Sequence, residues 1–121
     1  MKFISPAIHG IIDYLVVVFL LASPTIFGFT GTVTIFTYAL AGIHLLMTIL
    51  TDYSVGLVKV ISLPLHGFIE SIVGVILIAL AYTLFNNNAT GKLFYIVFGT
   101  VVLYTWLLTD YKGHLKATPA N

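Results

Sequence analysis

His9-Gly10 with Asp13, and His66-Gly67 with Glu70 fifty-seven positions later, set an imidazole four residues before a carboxylate twice in one short chain. On a helix that spacing puts both side chains on one face. Two such pairs facing each other supply two imidazole nitrogens and two carboxylates, a donor set suited to zinc, manganese or iron. A second motif repeats beside them. Leu50-Thr51-Asp52-Tyr53 returns as Leu108-Thr109-Asp110-Tyr111 after fifty-eight positions. Its aspartates add further oxygens, so the candidate metal-ligating residues are His9, Asp13, Asp52, His66, Glu70 and Asp110.

The same residues have a plainer use. A carboxylate at a helix C-terminus is disfavoured by the helix dipole. His9 with Asp52, and His66 with Asp110, would then clip neighbouring helices, while Asp13 and Glu70 accept hydrogen bonds from Tyr14, Tyr53 or Tyr111. A third use is proton handling, because a histidine near neutral pH also titrates. His44 lies two turns before Asp52 on one ridge through Thr48. It reads as a packing histidine, or as the start of a polar path to Asp52; the matching place in the second half is apolar Val102.

The elements that must position these groups are set by composition. The 121 residues are 60% hydrophobic and 7% charged, with mean hydropathy +1.10. A soluble domain carries roughly a quarter charged residues, so an integral membrane protein is indicated. Cysteine is absent, which excludes disulfides and thiolate ligands. A net charge of +1 and the lack of a basic cluster outside the C-terminal tail give no reason to expect nucleic acid as a partner. No glycine-rich nucleotide loop, Ser-His-Asp order or HExxH zinc motif occurs, which leaves enzymatic activity without a motif. His9 and Asp13 interrupt the first apolar run, so it reads as a retained span rather than a signal peptide.

Apolar stretches at about 6–22, 33–51, 64–85 and 93–109 each approach the roughly 20 residues that cross a hydrocarbon core. In lipid they must be helical. The expected fold is all-α: a single four-helix transmembrane domain over 1–121, built from two parallel two-helix repeats at about 5–56 and 62–113. Ser5-Pro6 and Ser62 with Pro64 mark helix starts, and Thr90 is the expected cap of the fourth. Pro24, Gly28 and Gly31 break the first connection, and Asn86-Asn87-Asn88 with Gly91 the third. The sequon Asn88-Ala89-Thr90 reads as a polar turn. Gly10, Gly42, Gly67, Gly74 and Gly99 read as helix-packing seams. Trp106 and Tyr38, Tyr95 and Tyr104 read as packing or lipid contacts.

Lys2, Lys59, Lys112 and Lys116 fall on one side and Lys92 on the other, so both termini are expected in the cytoplasm. Phe27, Phe29, Tyr82 and Phe85 would form an aromatic belt at the outer interface. His114 is expected to be solvated in the tail. The bilayer is the expected partner, with a homo-oligomer or another membrane protein as further ones. Four short helices leave little room for a pore, so transport would need an oligomer.

Leu20-Leu21-Ala22-Ser23-Pro24-Thr25-Ile26-Phe27-Gly28-Phe29 resembles the SPW-repeat family of small bacterial membrane proteins. Thr25 stands where that family's tryptophan would be, and Ala81-Tyr82-Thr83 stands in the second repeat. The opening His9-Gly10-Ile11-Ile12-Asp13-Tyr14, the mid-chain Leu50-Thr51-Asp52-Tyr53 and the Pro64-x-His66 helix start are similar too. The resemblance covers about residues 5–80 and implies a four-helix, two-repeat protein of the bacterial inner membrane. It implies no catalytic mechanism.

Overall fold

A computed structural model describes residues 2–112. His114 and Lys116, assigned above to a solvated tail and to the lysine-rich side, lie outside the described residues. Four helices follow one another: α1 (Pro6–Ile26), α2 (Gly31–Leu50), α3 (Leu63–Tyr82) and α4 (Ala89–Leu108). All four are long and apolar enough to cross a membrane. At 1.5 Å per residue they span about 30 Å, the thickness of a hydrocarbon core. Their outward faces carry Leu15, Val18, Ile35, Ile43, Val75 and Val101, all exposed, as lipid contact requires.

The capping signals operate at both serines. Ser5 Oγ accepts from Ile8 N and Ser62 Oγ from Leu65 N, each at 3.3 Å. Two expected boundaries move. α1 runs through Pro24 to Ile26 instead of stopping before it. The proline sits in the last turn, where its ring displaces one backbone bond. The chain then turns through Gly28 and Gly31, whose φ values of 64° and 59° suit a residue without Cβ. α4 begins at Ala89, capped by Asn88, whose side chain accepts from Gly91 N at 2.9 Å; Thr90 lies inside the helix. That use of Asn88 agrees with the polar-turn reading of the sequon.

α1 packs along α2 and α3 along α4. The two hairpins are joined at one end by short extended segments in matching registers. Ile4 bridges Thr109 and Ile61 bridges Thr51, both parallel. Asp110 N donates to Ile4 O at 2.8 Å, and Asp52 N to Ile61 O at 2.7 Å. The starts of α1 and α3 and the ends of α2 and α4 therefore meet at that end.

The other half of the bundle is an aromatic and aliphatic core of Leu20, Leu77, Ala41, Ala81, Phe85, Tyr95 and Phe98. Tyr95 stacks on Phe85 at 5.2 Å and meets Phe36 edge-on at 5.3 Å, and its hydroxyl lies 2.6 Å from Thr37 Oγ1. Only part of the expected aromatic belt is on the surface. Phe27 and Tyr82 are exposed, whereas Phe29 and Phe85 are buried, because the turns fold back over the helix ends and complete the core. Gly74 and Gly99 form a seam between α3 and α4: a Cβ on Gly99 would lie 2.9 Å from Gly74 O. Gly42 is not part of a seam, since nothing lies within 4 Å of its Cβ position.

Candidate metal centre

His9 and His66 enter the bundle one turn inside the starts of α1 and α3, and Asp13 and Glu70 follow one turn deeper. All four are buried: both histidines are fully covered, with 2% of Asp13 and 6% of Glu70 exposed. The imidazole rings meet edge to face at 5.4 Å. His9 Nε2 lies 3.3 Å from Asp13 Oδ1 and 3.0 Å from Glu70 Oε1. His66 Nε2 lies 3.1 Å from Asp13 Oδ2 and 3.5 Å from Glu70 Oε2. One donor atom from each residue fits within 4.8 Å of all the others, and among the described residues this is the group able to hold a metal ion.

The opposite ring nitrogens settle the tautomers. His9 Nδ1 is 2.7 Å from Thr109 Oγ1, and His66 Nδ1 is 2.6 Å from Thr51 Oγ1. Each threonine hydroxyl already gives its one proton to a carbonyl in the preceding turn, Thr105 O at 2.6 Å and Met47 O at 2.5 Å. A hydroxyl has no second proton to give. Each histidine must therefore donate from Nδ1, and in the neutral ring Nε2 is a lone pair. His9 Nε2, His66 Nε2 and Glu70 Oε1 are buried without a hydrogen-bond partner. Lone pairs on nitrogen facing carboxylate oxygens repel each other, and in a medium of low dielectric that is expensive. A cation between them removes the repulsion. Two imidazole protons or one divalent metal ion both bring the group to charge neutrality.

Tyrosines close the cluster from the loop side. Tyr53 Oη donates to Asp13 Oδ2 at 2.8 Å. The phenol end of Tyr111 rests on Gly67, where a Cβ would lie 2.5 Å from its Cζ, and its ring is 5.7 Å from His9. A Cβ on Gly10 would likewise collide with the Val55 side chain. The two glycines thus seat the covering segments against the first turns of α1 and α3. Burial pushes both phenols up, helped by the charge of Asp13 at Tyr53 and of Glu70 at Tyr111, so both stay protonated. Tyr14 bonds elsewhere, to Val55 O at 2.8 Å.

Two of the six expected ligands are outside the group. Asp52 is exposed, and Asp110 is buried at 5% with contacts of its own. The expected clips differ as well. His9 pairs with Thr109 of α4's end rather than with Asp52, and His66 with Thr51 rather than Asp110. In each Thr-Asp-Tyr motif it is the threonine that meets a cluster histidine, while Asp52 is exposed and Asp110 is buried outside the group. Those threonines carried the same duplication signal as the aspartates beside them. His44 does not lead to Asp52: its Nε2 lies 3.6 Å from Asp13 Oδ1.

A groove between α1 and α4 is lined by aliphatic and aromatic side chains and Thr90, with no charged group among them. Among known proteins, no family model, no curated protein and no solved structure matches this chain.

Proposed function

We propose that this is a small integral membrane protein that binds one divalent transition-metal ion, zinc, manganese or iron, through His9, Asp13, His66 and Glu70. The carrying observation is the convergence of the buried, unpartnered His9 Nε2, His66 Nε2 and Glu70 Oε1 on the Asp13 carboxylate. Metal-binding histidines typically donate their other ring nitrogen to an oxygen, which fixes the ring. Thr51 and Thr109 do this here. The donor set is that of inward-facing carboxylate and histidine sites in helical bundles.

The duplicated motifs, caps and bridges support a chain made of two parallel repeats, 5–56 and 62–113, related by an axis along the membrane normal. Lys2, Lys59 and Lys112 lie toward the metal-binding end, which favours a cytoplasmic location for that end. The Ser23-Pro24 step and the His-Gly openings support membership of the SPW-repeat family and a bacterial inner membrane.

A second reading rests on the same distances. With protons in place of the metal, the cluster becomes an internal ion-pair network tying α1 to α3, and the protein is a structural or accessory subunit. Elemental analysis separates the two. Detergent-purified protein exposed to zinc and then dialysed retains about one ion per chain if the first reading holds, and His9→Ala and His66→Ala lose it. Protein that retains no metal while these variants lose thermal stability supports the second.

A further inference from the structure

The two carboxylates are not held alike. Asp13 receives the Tyr53 hydroxyl on Oδ2 at 2.8 Å and faces His44 Nε2 at 3.6 Å from Oδ1. Both groups lie on the α2 side, and the Tyr53 hydroxyl is the one that bonds. Glu70 occupies the corresponding place in α3, and Tyr111 corresponds to Tyr53, yet the Tyr111 hydroxyl is buried without a hydrogen bond, as is Glu70 Oε1. The extra methylene of glutamate explains the difference. It lets the carboxylate reach His9, 3.0 Å away. Position 102, which answers to His44, is a valine and provides no tether. One carboxylate is fixed and the other has reach, slack and an unused donor beside it.

We propose that Glu70 is the exchangeable ligand of the site and that Tyr111 is the positioning residue that receives it when it leaves the cation. This rests on the metal reading above. Asp13, His9 and His66 keep the ion while Glu70 moves to the Tyr111 hydroxyl, freeing one coordination position. The backbone on the two sides is paired alike, Phe3 N and Ile4 N bonding Leu108 O as Val60 N and Ile61 N bond Leu50 O, so the difference between the two carboxylates lies in the side chains themselves.

The test is zinc release from the detergent-solubilised, zinc-loaded chain into excess EDTA, alongside equilibrium affinity and stoichiometry. Tyr111→Phe is expected to slow release and uptake together by about fivefold, the weight of one neutral hydrogen bond. Its affinity then stays within about twofold of the parent, because both rates shift in step. Tyr53→Phe untethers Asp13 and is expected to speed release and weaken affinity. Opposite signs are the signature, since simple loosening of the structure accelerates release in every variant. The proposal is overturned if Tyr111→Phe releases zinc at the parental rate or faster. Failure of the parent chain to load zinc at all removes the metal reading and this proposal with it, whereas normal loading without the sign difference removes only this one.

Discussion

The loop-side and opposite halves of the bundle treat the same spacing of residues in different ways. In the polar half, residues fifty-seven or fifty-eight positions apart are the same type: His9 and His66, Gly10 and Gly67, Thr51 and Thr109, Tyr53 and Tyr111. In the aromatic half, residues at that spacing touch each other and differ in size. Thr37 meets Tyr95 at 2.6 Å, and a Cβ on Gly91 would lie 2.8 Å from Val33. The contrast has a physical basis. On the proposed metal reading, two groups that act on one cation must both be donors, so neither can be replaced by whatever fits. A pair that fills one space needs only the right summed volume, and a large residue against a small one packs as densely as two equal ones.

That contrast can be broken most severely at the imidazoles. The double variant His9→Ala/His66→Ala is expected to abolish metal retention completely, as measured by elemental analysis, with helix content by circular dichroism unchanged. In the aromatic half, Tyr95→Ala removes a fully buried ring. It is expected to cost about 3–5 kcal/mol of stability, by analogy with other buried aromatic truncations, while metal stoichiometry per folded chain is preserved. Thermal unfolding in detergent, read beside metal content, checks whether the two halves are separable in this way. Loss of metal in Tyr95→Ala at temperatures where the chain is still folded would show that they are not.

Smaller changes sharpen the comparison. Thr51→Val or Thr109→Val removes the acceptor that orients a histidine, and metal affinity is expected to fall about 10–100-fold, the usual weight of such an outer partner. Competition with a fluorescent zinc chelator measures it. The effect should be similar for the two threonines if the polar half is functionally twofold. Tyr95→Phe loses only the hydrogen bond to Thr37 and is expected to cost about 1 kcal/mol, with no change in metal affinity.

Much of this architecture is legible in the amino-acid sequence. The four spans follow from hydropathy and from the cost of exposed backbone in lipid, and Ser5 and Ser62 announce the helix starts through their capping chemistry. His9, Asp13, His66 and Glu70 are recognisable because ionisable groups are costly in a membrane and because each pair sits four residues apart. The exclusion of Asp52 and Asp110 is not legible. It depends on the backbone direction after α2 and α4, where the chain leaves the helix and the threonine, not the aspartate, reaches the histidine. The burial of Phe29 and Phe85 depends in the same way on how a turn folds back, which composition does not record. His44 lacks a counterpart at Val102, so the duplication that marks the other residues cannot mark its approach to Asp13.

The central claim is that two neutral imidazoles and two carboxylates hold one divalent ion inside the bundle. X-ray absorption at the zinc edge of the loaded, detergent-solubilised protein tests it directly. Two imidazole nitrogens and carboxylate oxygens are expected at about 2.0–2.2 Å, with no zinc retained in His9→Ala or His66→Ala. A zinc shell without imidazole scattering, or no retained zinc in a chain whose helices are intact, contradicts it.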